Sequence, residues 1–364
     1  MFRLLVSAGG TGGGVYPALA TIAALGPRAE VLWLGSVGGM EADLVSRAGI
    51  SYEAIPAAGL HGVGLRALPG NLAALARGVR AAGKVMRSFR PQAMLLTGGF
   101  VGIPAALAGR GVPKVLYVPD IEPALAARLI ARSADVIAVT TEDSRAFYRR
   151  RRVVTTGYPT RPDLQPVDKK EARRRLGLDA DRATVLVLGG SRGAHSINGA
   201  VWAHLPALLQ AAQVIHVTGQ LNFDRAAPVR SSLPQETRSG YLPFAYLHEE
   251  MRWAYAAADL AVGRAGASAL GELPLFALPS ILIPYPHAWR YQHVNADYLA
   301  RRDAAVLLAD ERVGTDLVPA ALALLSDPGR LAAMSTAARR QAFPGAAARI
   351  ADLLEEQAER RPAA

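Results

Sequence analysis

Leu4-Leu5-Val6-Ser7, then Gly9-Gly10-Thr11-Gly12-Gly13-Gly14, then Pro17-Ala18-Leu19-Ala20 is the stretch that decides the fold class. A short aliphatic run enters a glycine turn, and the proline that follows suits the first turn of a helix. The same grammar returns at residues 94–97, with Gly98 and Gly99 and a helical pattern over 103–108. It returns again at residues 185–188, with glycines between Gly189 and Gly193 and a helix running through Ala200. Further strands are predicted at 31–34, 114–117, 136–139, 153–155, 214–217, 260–262 and 280–283, most of them separated by helical stretches. Strand alternating with helix implies an α/β protein, its parallel sheets covered by crossovers on both faces.

The 364 residues suffice for two domains, each with its own core. A junction is visible at Gly157-Tyr158-Pro159-Thr160-Arg161-Pro162, ahead of a basic helix over 169–176. The predicted division is therefore 1–158, 159–334 and a helical tail over 335–364 that crosses back to the first domain. Leu68, Leu72, Leu75, Val79 and Met86 recur at helical spacing, with Arg77, Arg80, Lys84 and Arg87 toward the other side. That is an amphipathic helix with a basic face, and on periodicity alone such a helix packs on its own domain.

Composition narrows the chemistry. With no cysteine there are no disulfides, thiolate metal sites or cysteine nucleophile. A formal net charge of +11 favours an anionic partner: nucleic acid, an acidic lipid surface or a diphosphate substrate. No nucleic-acid recognition motif accompanies the charge, and no nucleic-acid partner is expected. The most apolar stretch, 260–286, holds Arg264, Glu272 and four prolines, which excludes a spanning helix. Residues 1–7 are too short for a signal peptide, so the protein is expected in the cytoplasm. Asp179-Ala180-Asp181 has the spacing some transferases use for a metal, but it precedes a strand and reads as a turn. No metal and no cofactor are expected.

A strand that ends in glycines and feeds a helix presents backbone amides to an anion. One such loop is a weak signal; one in each half raises the odds of a ligand at the carboxyl ends of the strands. A dinucleotide fingerprint is absent, because the first loop breaks the G-x-G-x-x-G spacing and the second strand ends in Leu34-Gly35-Ser36 with no acidic residue. No Walker A lysine pattern occurs.

Beyond those loops, Trp33-Leu34-Gly35, Met40-Glu41, Thr97-Gly98-Gly99-Phe100, Gly189-Gly190-Ser191-Arg192-Gly193-Ala194, Arg264-Ala265-Gly266-Ala267, Glu272, Gln292 and Asn295-Ala296 follow in order along nearly the whole chain. In this combination the sequence resembles the MurG-type N-acetylglucosaminyltransferases. The resemblance implies a GT-B fold, two Rossmann-like domains with parallel sheets facing each other across a deep cleft. It implies an inverting enzyme that moves N-acetylglucosamine from UDP-N-acetylglucosamine to the C4 hydroxyl of the muramyl sugar of lipid I, forming lipid II. Such proteins are peripheral on the cytoplasmic face of the cell membrane and meet anionic lipid through their first half. Carried over by position, Ser191, Arg192, Gly193 and Arg161 would face the diphosphate, and Ala267, Ser268 and Ala269 would present amides to it. Glu272 would accept from the ribose hydroxyls. His248 and the residues after it would line the uracil, and Gln292 with Tyr291 would reach the sugar. Thr11, Gly12 and Gly13 would lie near the reacting centre.

The pattern departs twice, both times in the first half. Where the family carries a histidine after the glycine pair this chain has Gly14, and where the family shows Glu-Gln-Asn it has Val118-Pro119-Asp120. An inverting transfer needs a base beside the attacking hydroxyl. Asp120 is the replacement candidate, with Glu122 and His61 behind it; a loop or cap role for Asp120 is an equal reading. Three alternatives stay open: a related transferase with another lipid acceptor, a UDP-N-acetylglucosamine epimerase, for which the basic helix has no use, and a non-catalytic UDP-sugar-binding relative.

Overall fold

The computed structural model describes residues 1–9, 12–57, 68–149, 151–190, 193–287 and 290–360. The chain divides into two compact units, Met1–Pro162 with Phe343–Ala364, and Asp163–Ala342. The first holds a seven-stranded sheet of β1 (Phe2–Ser7), β2 (Ala29–Ser36), β3 (Ser51–Ile55), β4 (Ala93–Leu96), β5 (Lys114–Val118), β6 (Val136–Val139) and β7 (Val153–Thr155), in the order β3-β2-β1-β4-β5-β6-β7. The second holds six strands, β8 (Thr184–Leu188), β9 (Gln213–Val217), β10 (Tyr241–Phe244), β11 (Leu260–Gly263), β12 (Ser280–Leu282) and β13 (Ala305–Leu307), in the order β10-β9-β8-β11-β12-β13. Every pairing is parallel.

The central strands β4, β5, β6, β9 and β11 are buried along their whole length, which is why β4, β6 and β11 read as unbroken apolar runs and β5 and β9 are interrupted only by Lys114, Gln213 and His216. The three strands that the pattern does not announce lie at sheet edges. β3 exposes Ser51, Glu53 and Ala54, β10 carries Pro243, and β13 is three residues long. An edge strand needs one pairing side only, so proline and polar residues cost it little. In both sheets the strand order reverses beside the first strand, between β1 and β4 and between β8 and β11. The loops leaving the carboxyl ends of those four strands are where an open α/β sheet takes its ligand.

The glycine-loop helix opens at Gly12 and runs to Leu25, five residues ahead of the expected proline start. Two boundaries also differ from expectation: the first unit runs on to Pro162 rather than 158, and the tail begins at Phe343 rather than 335. The helix Pro328–Arg339 stays with the second unit, where Met334 enters the core and Ser335 Oγ donates to Ala277 O at 2.7 Å. The return to the first unit starts at Phe343: Gly345, at φ 79°, breaks the helical tail, and Ala346–Glu359 buries Ile350, Ala351 and Leu354 completely. Gly157 makes this docking possible. At φ 88° its absent Cβ would fall 2.2 Å from Phe343 Cβ, so no other residue fits.

The basic helix spans Leu68–Phe89. Leu75, Val85, Met86 and Phe89 pack against the first unit's core, and the backbone at Gly78 approaches Pro56 and Pro104. Its cations Arg77, Arg80, Lys84 and Arg87 are exposed, and Leu72 stands out at 52% exposure. The apolar face is therefore spent on the protein's own core, and what it offers outward is charge.

Candidate functional site

In the second unit, β8 delivers the glycine loop to the carboxyl edge of the sheet. Gly189 N–H donates to Val217 O, and Gly193 N–H closes a turn onto Gly190 O, each at 3.0 Å. A Cβ on Gly193 would lie 2.3 Å from Thr218 O, so only glycine lets the loop pass this close to the end of β9. Thr218 O is itself held. Asn198 Nδ2 donates to it at 2.8 Å, Asn198 Oδ1 lies 3.0 Å from His216 Nε2, His216 Nδ1 lies 3.1 Å from Tyr241 Oη, and Trp202 Nε1 donates to Tyr241 Oη at 2.9 Å. Asn198 donates to Thr218 O through Nδ2 and can only accept through Oδ1, so the order runs one way: Nε2–H donates to Asn198 Oδ1, and the Tyr241 hydroxyl donates to Nδ1 while accepting from the indole. Burial pushes the His216 imidazole down to about 3, so it stays neutral and holds that tautomer.

The loop after β11 is built around Arg264. Its Nη1 donates to Asp310 Oδ1 at 2.6 Å and its Nη2 to Ser196 Oγ at 2.9 Å, while Ser196 Oγ donates to the same Asp310 oxygen at 2.8 Å. Nη1 also reaches Ile283 O and Pro284 O, at 3.3 and 3.4 Å, and the guanidinium lies 5.3 Å from the Tyr285 ring centroid. Buried Asn295 fixes the next residue, donating to Ala265 O at 3.2 Å. Ala269 N–H is taken by Gly266 O at 3.0 Å; the amides of Ala267 and Ser268 make no hydrogen bond among the described residues. Of the three amides expected to face a phosphate, the one at Ala269 is therefore already engaged within the loop.

Glu272 follows on the helix Ala269–Leu275, its Oε2 accepting from the Tyr255 hydroxyl at 2.7 Å. Gln292, beside Tyr291 in the first turn of the helix Tyr291–Ala300, accepts from Tyr285 N–H through Oε1 at 2.9 Å, which leaves its amide hydrogens for a hydroxyl. His248, exposed beyond β10, stands edge-on to Tyr246 with ring centroids 4.7 Å apart. Gly193, Ala267, Ser268, Glu272, Gln292 and His248 all follow carboxyl ends of parallel strands, so one edge of the sheet carries them. A cavity of about 490 Å³ lined by Asp259, Phe276, Pro279 and Arg339 lies at the opposite, amino edge and is not this site.

Thr11, His61, Ser191 and Arg192 lie outside the described residues. Arg161, expected with the donor domain, belongs to the first unit, where its guanidinium sits 5.8 Å from the Tyr16 ring centroid. That contact draws it toward the helix Gly12–Leu25, which Gly12 and Gly13 open. Beneath the loop after β1, Trp33 Nε1 donates to Ala8 O at 3.1 Å, and the fully buried Glu41 accepts from Ser36 N–H and Ser36 Oγ, both at 2.8 Å. Gly9 lies against that carboxylate, with room for no side chain.

In the first unit, Gly14 is buried, and its absent Cβ would lie 2.7 Å from Thr97 Oγ1. That hydroxyl is buried and makes no hydrogen bond among the described residues. Thr97 therefore occupies the space in which a longer residue 14 would begin. Asp120 is half-buried just past β5, beside the Tyr117–Thr140 hydroxyl pair at 2.8 Å; burial, with the Asp120 charge, pushes the Tyr117 phenol well above its usual value. Glu122 is held by Arg128 Nη2 at 3.2 Å and is only 15% exposed. Asp179 and Asp181 form a turn, with Asp181 N–H donating to Asp179 Oδ1 at 2.9 Å. Among the described residues no group of three or more His, Asp or Glu side chains is placed to hold a metal ion.

Residues 4–139 match the glycosyltransferase family 28 N-terminal domain and residues 184–350 the glycosyltransferase family 28 C-terminal domain. A protein of Roseiflexus sp. (strain RS-1) named UDP-N-acetylglucosamine--N-acetylmuramyl-(pentapeptide) pyrophosphoryl-undecaprenol N-acetylglucosamine transferase is 40% identical, over 100% of this chain and 96% of its own. The chain belongs to the MurG-type N-acetylglucosaminyltransferases. A protein of the same name from Desulforudis audaxviator (strain MP104C) is 38% identical over 98% of each chain. The crystal structure of Acinetobacter baumannii MurG matches with a TM-score of 0.77 at 27% identity, over 98% of this chain and 100% of that one. A glycosyltransferase of the two-domain GT-B fold follows from these likenesses and from the two parallel sheets.

Sequence reasoning missed Tyr255, the Arg264–Ser196–Asp310 cluster and the His216 network. Ser196 and Asp310 lie far apart in the chain and have no local motif to join them, and a histidine in a five-residue buried strand looks like any core position.

Proposed function

We propose that this glycosyltransferase moves N-acetylglucosamine from UDP-N-acetylglucosamine, with inversion, to the C4 hydroxyl of N-acetylmuramyl-pentapeptide in lipid I, yielding lipid II. The observation that carries the reading is the carboxyl edge of the second sheet. It gathers the kinds of group a nucleotide sugar needs: amides for a diphosphate, a fixed carboxylate for a ribose and a side-chain amide for a sugar hydroxyl. The names of the relatives support the same substrates.

The step is a displacement at C1 of the donor. The acceptor oxygen forms the new bond to C1, the bond from C1 to the diphosphate oxygen breaks, and UDP leaves with the electron pair. The hydroxyl proton passes to a base on the first unit, Asp120 in this reading, with Glu122 and His61 as its alternatives. Charge developing on the diphosphate is met by the amides of Ala267 and Ser268, with Ser191, Arg192 and Arg161 as further ligands and the Gly193 turn allowing close approach. Glu272 takes the ribose hydroxyls, Tyr291 and Gln292 the sugar, and His248 with its neighbours the uracil. No metal ion or cofactor enters this scheme, and EDTA should leave turnover unchanged. Docking to the cytoplasmic face of the membrane would rest on Arg77, Arg80, Lys84 and Arg87 against anionic lipid.

A second reading, transfer to a different lipid acceptor, draws on Gly14 and Val118-Pro119-Asp120, since both departures fall on the acceptor half. The experiment is transfer from radiolabelled UDP-N-acetylglucosamine to a lipid I analogue beside a second glycolipid, with UDP titrated by calorimetry. Product on lipid I alone supports the main reading, and product on the other glycolipid alone supports the second. UDP binding without product would mean a binding protein, and absence of UDP binding would end the assignment.

A further inference from the structure

We propose that Tyr255 is a positioning residue for the Glu272 carboxylate, and that it sets how sharply the second unit tells a ribose from a deoxyribose nucleotide. The proposal rests on the donor reading above and names a residue that reading does not use.

Glu272 and Phe276 are four residues apart, at the end of the helix Ala269–Leu275 and on the same face. Tyr255, from the helix Met251–Ala257, lies along that face and touches both. Its ring stacks on Phe276 with centroids 5.1 Å apart and planes 23° from parallel, and its hydroxyl donates to Glu272 Oε2 at 2.7 Å. Tyr255 is only 4% exposed, so packing on every side holds the ring and thereby fixes where its hydroxyl points.

A glutamate turns about three side-chain bonds, and an unheld carboxylate gives up that freedom when a ligand binds. A carboxylate is an acceptor only, with lone pairs for several donors, so a donor fixed at Oε2 orients the whole group toward the further donors a ligand brings. A vicinal diol offers donors at matching spacing. Hydrogen bonds to a charged group are the strong kind, and a carboxylate built for a hydroxyl is left unmatched by a ligand that lacks it. The stack on Phe276 is what an ordinary core tyrosine would make. The hydroxyl aimed at the Glu272 carboxylate goes beyond that, and it can be removed without touching the stack.

The test is calorimetric titration of UDP, 2′-deoxy-UDP and 3′-deoxy-UDP into wild type, Tyr255→Phe, Phe276→Leu and Glu272→Ala, with melting curves to confirm folding. Wild type should prefer UDP over at least one deoxy analogue by roughly tenfold or more. Glu272→Ala should abolish the preference. Tyr255→Phe should weaken UDP about three- to tenfold and cut the preference at least by half. In turnover, KM for UDP-N-acetylglucosamine should rise by the same factor at unchanged kcat. Phe276→Leu, which loosens the ring but keeps the hydroxyl, should fall between, and its ratio decides the matter if Tyr255→Phe does not fold. A Tyr255→Phe protein with the wild-type preference overturns the proposal. A Glu272→Ala protein with the wild-type preference overturns the ribose assignment beneath it, a separate and distinguishable failure.

Discussion

Asn198 Oδ1 lies 3.0 Å from His216 Nε2 in the interior of the second unit, and through the Asn198 amide this contact reaches the carbonyl that supports the Gly193 turn. The imidazole must be neutral to serve, and its folded value of about 3 lies well below the ordinary 6.5. Between those values the unfolded chain binds a proton that the folded one refuses. Stability is thus fully present above pH 6.5 and is lost as pH falls toward 3, at up to about 1.4 kcal/mol per pH unit from this group. Urea melts at pH 7, 6 and 5 should show that slope. His216→Gln should be less stable at pH 7 yet lose less on acidification, and an unchanged slope would remove His216 as its source.

Gly14 and Thr97 should be coupled. Gly14→Ala places a methyl 2.7 Å from Thr97 Oγ1, so the threonine must turn away, at about 1–2 kcal/mol. In a Thr97→Ala background the clash is gone, and alanine in a helix should then be favoured over glycine by about 0.5–1 kcal/mol. Thermal melts of the four proteins in the cycle should show the sign reversing. Additive effects would mean that Thr97 does not fill this space.

The contrast between those two pairs shows what the chain discloses before it is folded. Glycine loops after aliphatic runs announce both switch points, because glycine is demanded there by close backbone approach, and Gly193 is an instance with a carbonyl in the way. The doubly wound architecture is legible because strands covered on both faces are mostly apolar, and the polar residues that they hold, such as Gln213 and His216, are hydrogen-bonded inside. Edge strands are not so constrained, and β3, β10 and β13 went unannounced. Glu272 and Gln292 are reached through the family resemblance, whereas Tyr255, His216 and Asp310 gain their contacts from neighbours brought close by folding alone. The Arg161 expectation differed because a linker arginine carries no sign of which unit it will pack on.

Asp120→Asn should lower kcat by about 10²–10⁴-fold and leave UDP affinity intact, the range for losing a general base. Glu122→Gln should cost far less activity, because its carboxylate is already committed to Arg128. Single-turnover rates with saturating donor separate the two. Full turnover by Asp120→Asn would send the search to Glu122 and His61.

Binding to anionic vesicles should be governed by charge. Replacing Arg77, Arg80, Lys84 and Arg87 with serine should abolish low-salt cosedimentation, and wild type should be released as sodium chloride rises toward 0.5 M, where screening shortens to about 4 Å. Leu72→Ser should change binding little, since Leu75, Val85, Met86 and Phe89 of that helix pack against the core. Salt-resistant binding would require an inserted apolar segment instead.

Arg264 serves acceptors from three separate connections at once: Ser196 beyond the first glycine turn, Ile283 and Pro284 beyond β12, and Asp310 beyond β13. The donor rim is thereby a single mechanical part. Anyone hoping to graft a different nucleotide preference onto this scaffold by exchanging one connection would disturb the other two through the shared guanidinium, so the rim has to be transplanted whole.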